Sequence, residues 1–322
     1  MRIEDIRVWK YELRCKAPIH RRVGLFVEFC WEDGAPSFGE VAPFAAVHEE
    51  GLDEAFSDLR RAIPVFSGKD IVLDEPQWSK RFFDFMEQPE RQSFVPSVTF
   101  GVEHALVNKW MQTTSKRTTA KWETAGLIYL AHADVAEYSQ QVAVLRDEEA
   151  KVAKFKIGGG HIRMELDRLK SVLREFPSLG VRLDANGRLR EDDIRLIEES
   201  VDSERVEFVE DPGVRMPSKF KYAAESVLWG KQTEEALASA DFFVVKPSRL
   251  GGYSDLKKII DRVGPDRVVL SSAFDSQLTL ETSRFLSDFW GVSTVPGFGT
   301  AHYFLEHLNG RPDLSENCVR VL

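Results

Sequence analysis

Ala153-Lys154-Phe155-Lys156-Ile157 sets two ammonium groups two residues apart inside an apolar run. In a strand, successive side chains alternate between faces, so Lys154 and Lys156 point one way while Ala153, Phe155 and Ile157 point the other. The apolar face would meet a layer of helices, and the lysines would project into whatever the strand encloses. Enclosed charge is costly unless an opposite charge answers it. A lone Lys-x-Lys fits a solvated edge strand, so the neighbouring strands have to decide.

From about Ala125 onward a short apolar run followed by an amphipathic helix recurs. The runs are Leu127–Leu130, Lys151–Ile157, Val181–Asp184, Val206–Glu210, Val227–Gly230, Phe242–Lys246, Val268–Ser271 and Val292–Val295. Strand alternating with helix implies a parallel sheet, and this many units imply an α/β fold of the (β/α)8 type, a TIM barrel with room for modification, over residues 121–299. In such a barrel the C-terminal ends of the strands carry the active site. Here the second strand offers Lys154 and Lys156, the third ends on Asp184, the fourth on Glu210 and the sixth on Lys246. Asp184 and Glu210 lie about one strand–helix repeat apart, so adjacent strands present them at one level. Two carboxylates so placed repel unless a cation lies between them. Hard oxygen donors with room for water suit Mg²⁺, with Mn²⁺ as a substitute.

The first 120 residues have a different texture. Ile3–Arg14 and Gly24–Trp31 alternate apolar and polar residues, and the second run leads into Glu32-Asp33-Gly34, a hairpin signal. Amphipathic helices are expected over about Gly51–Ile63, Glu75–Glu87 and Val98–Gln112. This is an α+β module, a capping domain over 1–120, with residues from about 300 to 322 able to pack on it. Two polar loops, His20-Arg21-Arg22-Val23 and Ala45-Ala46-Val47-His48, are candidates for substrate contact.

Composition bounds the partners. The net charge is −9 and no block of basic residues occurs, which disfavours nucleic acid and favours a small-molecule carboxylate substrate met by local cations. No apolar stretch is long enough to span a membrane and no signal pattern opens the chain, so a cytoplasmic location is expected. Cys15, Cys30 and Cys318 are too scattered for a metal knot or disulfide frame. Gly158-Gly159-Gly160 lacks the Lys-Ser/Thr of a phosphate loop and reads as a turn. Oligomeric state is not legible.

Lys-x-Lys, then Leu183-Asp184-Ala185-Asn186, then Phe208-Val209-Glu210-Asp211-Pro212, then Val245-Lys246-Pro247-Ser248-Arg249-Leu250-Gly251-Gly252 together resemble the enolase superfamily, in its muconate-lactonising branch. Gly39-Glu40-Val41-Ala42-Pro43 extends the likeness to the capping module. Leu270–Ser276 and Pro296–Thr300 are most similar to the o-succinylbenzoate synthases of menaquinone biosynthesis. The resemblance implies dehydration of a cyclohexadiene carboxylate through an enediolate that a Mg²⁺ on Asp184 and Glu210 stabilises. It casts Lys156 as the base, Lys154 as the neighbour that lowers its proton affinity, and Lys246 as a cation facing them. Ser271, Ser272 and Phe298 become substrate-binding candidates.

One departure is visible. The family places a third carboxylate after the fifth strand, whereas Leu228-Trp229 runs into Gly230-Lys231-Gln232. Glu234 is the candidate substitute, with Gln232 as a neutral alternative. Two rival functions stay open: a racemase of N-acylamino acids or epimerase of dipeptides, since lysines on two sides also suit two-base chemistry, and a lapsed barrel that only binds. Dipeptide epimerases carry an acidic pair on the eighth strand, and Val295–Thr300 offers none.

Overall fold

The computed structural model describes residues 1–73, 94–114, 123–131, 134–214, 218–225, 237–306 and 316–322. Its first sheet holds β1 (Ile3–Arg14), β2 (Arg21–Trp31) and β3 (Ser37–Val41), joined by β11 (Cys318–Arg320) in the order β11-β1-β2-β3. All its pairings are antiparallel, and the C-terminal strand lies on β1 through Trp9↔Arg320. β2 begins at Arg21, earlier than the alternation suggested, so Arg22 and Val23 belong to a strand rather than to a loop. The pairing Leu13↔Arg22 extends the hairpin and buries Arg22.

Helices Leu52–Phe66 and Pro96–Thr113 pack beside this sheet. Pro96 at the first turn suits a position whose N–H would be unpaired in any case. Helix Pro96–Thr113 is buried on most sides and reaches β3 as well as the barrel helices Pro247–Leu250 and Tyr253–Val263. One apolar core consequently runs from Val27 and Phe29 of the cap to Phe243, Val245 and Leu270 of the barrel. The helix expected over 75–87 lies outside the described residues.

The second sheet is parallel and follows chain order: β4 (Gly126–Tyr129), β5 (Val152–Lys156), β6 (Gly180–Asp184), β7 (Val206–Glu210), β8 (Tyr222–Ala224), β9 (Phe242–Val245) and β10 (Val268–Leu270). Ala153, Phe155 and Ile157 face outward into an apolar cluster with Leu166 and Leu169 of helix Ile162–Glu175 and Ile194 and Ile197 of helix Glu191–Ser200. That leaves the lysines inside, as period-two alternation requires.

Two strands differ from the sequence reading. The eighth expected run, Val292–Val295, forms no strand; the next residues close the ring instead. Gly297 N donates to Leu270 O at 2.7 Å, and Ala125 N donates to Pro296 O at 2.8 Å. Proline has no N–H to give a ladder, so the contact shrinks to a single parallel bridge, Ser271↔Gly297. The fifth strand among the described residues is Tyr222–Ala224, paired with β7 through Glu210↔Ala223; the run expected for it, Val227–Gly230, lies outside the described residues. The architecture is a (β/α) barrel with an N-terminal capping domain.

Candidate active site

Register sets the site. Lys156 pairs with Asp184, Asp184 with Glu210, and Glu210 with Ala223 across β5 to β8, so three strands deliver their ends at one height. Phe208, Ala223, Val244 and Val269 form a separate apolar plug in the barrel. At the strand ends opens a cavity of about 670 Å³ lined by Lys154, Lys156, Asp184, Glu225, Lys246, Ser271 and Ser272, with Phe44 and Val47 from the cap. Of the two cap loops proposed for substrate contact, the second reaches the cavity through Ala46 and Val47. His48 turns back on its own loop, its Nδ1 accepting from Phe44 N at 3.1 Å.

Charges here are interleaved. Lys154 Nζ lies 2.6 Å from Asp184 Oδ2 and 2.7 Å from Glu210 Oε1, bridging the two acids. Lys156 Nζ lies 2.6 Å from Asp184 Oδ2 and donates to Asn186 Oδ1 at 2.8 Å. Asp184 and Glu210 are almost fully buried. Burial alone would lower the affinity of Lys154 for its proton, but Asp184, Glu210 and Glu225 outweigh it and hold the ammonium charged. Lys156 moves the other way: burial lowers it, Asp184 resists, and Lys154 adds like-charge repulsion. Burial opposes the charge of Asp184, and the two lysines overcome it, leaving this carboxyl well below its usual range. Glu210 is pushed up to about 7, first by burial and then by Asp184.

The third carboxylate that the sequence reading found missing is Glu225. It follows β8 directly, in Tyr222-Ala223-Ala224-Glu225, and its N–H donates to Asp211 Oδ1 at 3.0 Å. Lys246, next after β9, ion-pairs with Glu225 Oε2, while Arg249 Nη1 lies 3.2 Å from Oε1. Burial opposes ionisation of Glu225, and Lys246 and Lys154 more than offset it, keeping this carboxyl low. Glu234 and Gln232 lie outside the described residues. Ser271 and Ser272 line the cavity, and Thr300 Oγ1 donates to Ser272 Oγ at 2.8 Å. Phe298 does not join them: its ring is buried in the apolar core, and Gly297, Gly299 and Thr300 face the cavity in its place.

The turn reading of Gly158-Gly159-Gly160 matches the backbone. Gly158 has φ +80°, and the N–H groups of Gly158 and Gly160 each donate to the buried carboxylate of Glu165 at 2.6 Å. That fixes the loop leaving Lys156.

The acids suit a divalent cation. Asp184, Glu210 and Glu225 supply hard oxygen donors from three adjacent strands, and Glu210 Oε2 is buried with no hydrogen-bond partner. Among the described residues no three such groups already surround one point, because Lys154 spans Asp184 and Glu210. The charge compensation that a cation would supply is at present supplied by that lysine.

A (β/α) barrel under an α+β cap, with lysines opposing carboxylates at the strand ends, has the architecture of the muconate-lactonising branch of the enolase superfamily, and the resemblance first carried by the strand-end motifs holds in overall sequence and fold. No family model matches the chain. The o-succinylbenzoate synthase of Pasteurella multocida is 25% identical over 300 residues, covering 88% of this chain and 82% of that protein. An o-succinylbenzoate synthase from Thermosynechococcus elongatus, solved with Mg in its active site, superposes with a TM-score of 0.67 at 20% identity, over 92% of this chain and 94% of that one. A dipeptide epimerase from Enterococcus faecalis superposes at 0.74 with 15% identity, over 95% and 92%.

Proposed function

We propose that the chain is an o-succinylbenzoate synthase, a hydro-lyase that converts 2-succinyl-6-hydroxy-2,4-cyclohexadiene-1-carboxylate to 2-succinylbenzoate for menaquinone biosynthesis. The observation that carries this reading is the Lys154–Asp184–Glu210 bridge with Lys156 beside it and Lys246 four strands from the two lysines, with Lys154, Lys156, Asp184 and Lys246 lining one cavity. Names of relatives supply the product; the residues supply a chemistry that fits its formation.

Asp184, Glu210 and Glu225 would hold Mg²⁺, or Mn²⁺ in its stead, and the bound ion would supply positive charge to the substrate carboxylate. Lys156, its proton affinity lowered by burial and by Lys154, takes the proton from the carbon next to that carboxylate. Its new N–H bond forms as the C–H bond breaks, and the electron pair enters the carboxylate as an enediolate. When that pair returns to form the ring double bond, the C–O bond at the hydroxyl breaks. Lys156 passes the proton to the departing hydroxide, and water leaves. Lys246, ion-paired with Glu225, faces the intermediate as a cation. Ser271, Ser272 and the Gly297–Thr300 segment line the remaining wall.

Racemisation of an N-acylamino acid is the second reading, because Lys156 and Lys246 come from separated strands. An epimerase of dipeptides would also need acids for the substrate ammonium, and Val295–Thr300 has none. With Glu225 present, the reason for a lapsed barrel disappears. The test is to supply the cyclohexadiene with Mg²⁺ and with excess chelator and to follow the aromatic product. Conversion that needs the metal is expected; full activity in chelator, or no product with metal, would overturn the reading.

A further inference from the structure

Arg22 stands on β2, outside the set of groups that touch the reacting atoms, with only 2% of its surface exposed. Its guanidinium reaches main-chain carbonyl oxygens on two separate segments. Nε donates to Phe274 O at 2.9 Å, Nη1 to Pro43 O at 2.9 Å and to Val23 O at 3.3 Å, and Nη2 to Ala42 O and, at 3.5 Å, to Ala273 O. Ala42 and Pro43 follow β3 in the cap; Ala273 and Phe274 follow β10 in the barrel. One side chain thus laces the cap to the barrel.

What lies on the cavity side of this lacing is aromatic. Phe44 and Phe274 both line the cavity, their ring centroids 5.5 Å apart, and Arg22 Cζ lies 5.3 Å from the Phe44 ring centre. Phe274 continues the row to Tyr303 at 5.7 Å. These groups flank the β10 and β4 edge of the barrel, whereas the carboxylates occupy β6 to β8. Phe274 holds φ +59°, a left-handed conformation that a bulky residue keeps only where its surroundings require it. Its peptide oxygen is bound by Arg22, and the preceding N–H, of Ala273, by Asp275 Oδ2 at 2.9 Å.

A buried guanidinium is an expensive way to fill space; an apolar side chain of similar volume often serves packing as well. Its planar fork does what an ammonium cannot, holding several oxygens in fixed directions. We propose that Arg22 is a positioning residue: it fixes Phe44 and Phe274 as one aromatic wall opposite the carboxylates, and so sets how tightly the part of the substrate remote from the reacting carboxylate is held. The substrate half of this inference rests on the synthase reading above.

The test uses the full chain with Arg22→Lys and Arg22→Met. Hydrogen–deuterium exchange is measured without substrate, and steady-state kinetics with the cyclohexadiene and Mg²⁺, wild type alongside. Expected are faster exchange confined to residues 42–48 and 271–276, and a KM raised about 10-fold or more with kcat within a few-fold, as for lost uniform binding. Unchanged exchange in those stretches would overturn the proposal, as would an unchanged KM in a variant that merely melts lower. An inactive wild type would sink the synthase reading and leave exchange to decide whether Arg22 fixes the wall. Should both variants fail to fold, Phe44→Leu probes the wall and gives up the ring beside Arg22 but none of the main-chain oxygens it binds: a raised KM is expected, and an unchanged KM would overturn the proposal.

Discussion

Two buried carboxylates in this molecule, each pushed up by burial and by a neighbouring acid, differ in how their oxygens are paired. Glu40, at the seam between cap and barrel, is surrounded by neutral donors: Ser276 N and Ser276 Oγ at 2.9 Å, Thr279 Oγ1 at 2.5 Å and the Tyr11 hydroxyl. Glu210, buried at the end of β7, has one oxygen on Lys154, one without a hydrogen-bond partner, and Asp184 crowding its charge. A satisfied polar cluster fixes one arrangement of the chain. An unsatisfied one marks a place where the protein gives up stability for a task. The seam should therefore govern whether the molecule folds, and the cavity whether it works.

The largest expected effect separates the two at once. Lys156→Ala should lose roughly 10²- to 10⁴-fold in turnover, the usual yield of general-base catalysis, and keep its melting temperature. Parallel kinetics and thermal melts check this, and wild-type turnover by the variant would remove Lys156 from the reaction. At the seam the pattern should invert. Glu40→Leu strands the hydroxyls of Tyr11, Ser276 and Thr279, and a buried donor left unsatisfied costs about 1–3 kcal/mol. Urea titration should show a loss of at least about 2 kcal/mol, with whatever enzyme stays folded turning over normally.

How far this contrast could be read from sequence depends on local regularity. Lys154, Lys156, Asp184, Glu210 and Lys246 end clean apolar runs, so a period of two places them without ambiguity. Glu225 was missed because its strand is only Tyr-Ala-Ala, weaker in β-forming residues than the Val227-Leu228-Trp229 run beyond it. The short β7–β8 connection also removed the expected spacing. Ala224-Glu225-Ser226, close to the acidic-Ser signature sought, was the available signal. Phe298 was misplaced because Pro296–Gly299 is no regular strand, and a shift of one residue there exchanges core for cavity. Arg22 looked like loop because charge breaks its alternation, and nothing local announces partners 20 and 252 residues away.

Smaller effects sharpen the comparison through pH. Glu210, raised to about 7, binds a proton in the fold that the unfolded chain releases above the ordinary carboxylate range. Stability without divalent cation should accordingly fall as pH rises from about 4.5 to 7. Glu210→Gln should melt above the wild type at pH ~8 while losing activity, a trade that active-site groups commonly make. A lower melting temperature for this variant would contradict the claim that the cavity is the strained region.

His104 belongs to the seam, its Nδ1 accepting from Glu40 N at 3.2 Å and its Nε2 meeting Thr282 Oγ1 at 3.0 Å. Burial lowers it from 6.5 to about 3, so between those values the unfolded chain takes up a proton that the fold refuses. Stability should fall with decreasing pH across that window, by at most about 1.4 kcal/mol per unit from this group. His104→Gln should flatten that slope; an unchanged slope would place the acid sensitivity elsewhere.

The central claim is that one lysine moves the proton and the other only holds charge. Lys246→Arg separates these roles, since a guanidinium keeps the cation but does not deprotonate. Aromatic product from the cyclohexadiene is measured beside solvent-deuterium exchange at the α-carbon of N-acylamino acids of both hands. Measurable dehydration by Lys246→Arg is expected. Robust α-exchange by the wild type with no dehydration of the cyclohexadiene, and exchange on one face lost in Lys246→Arg, would contradict it and make the protein a racemase.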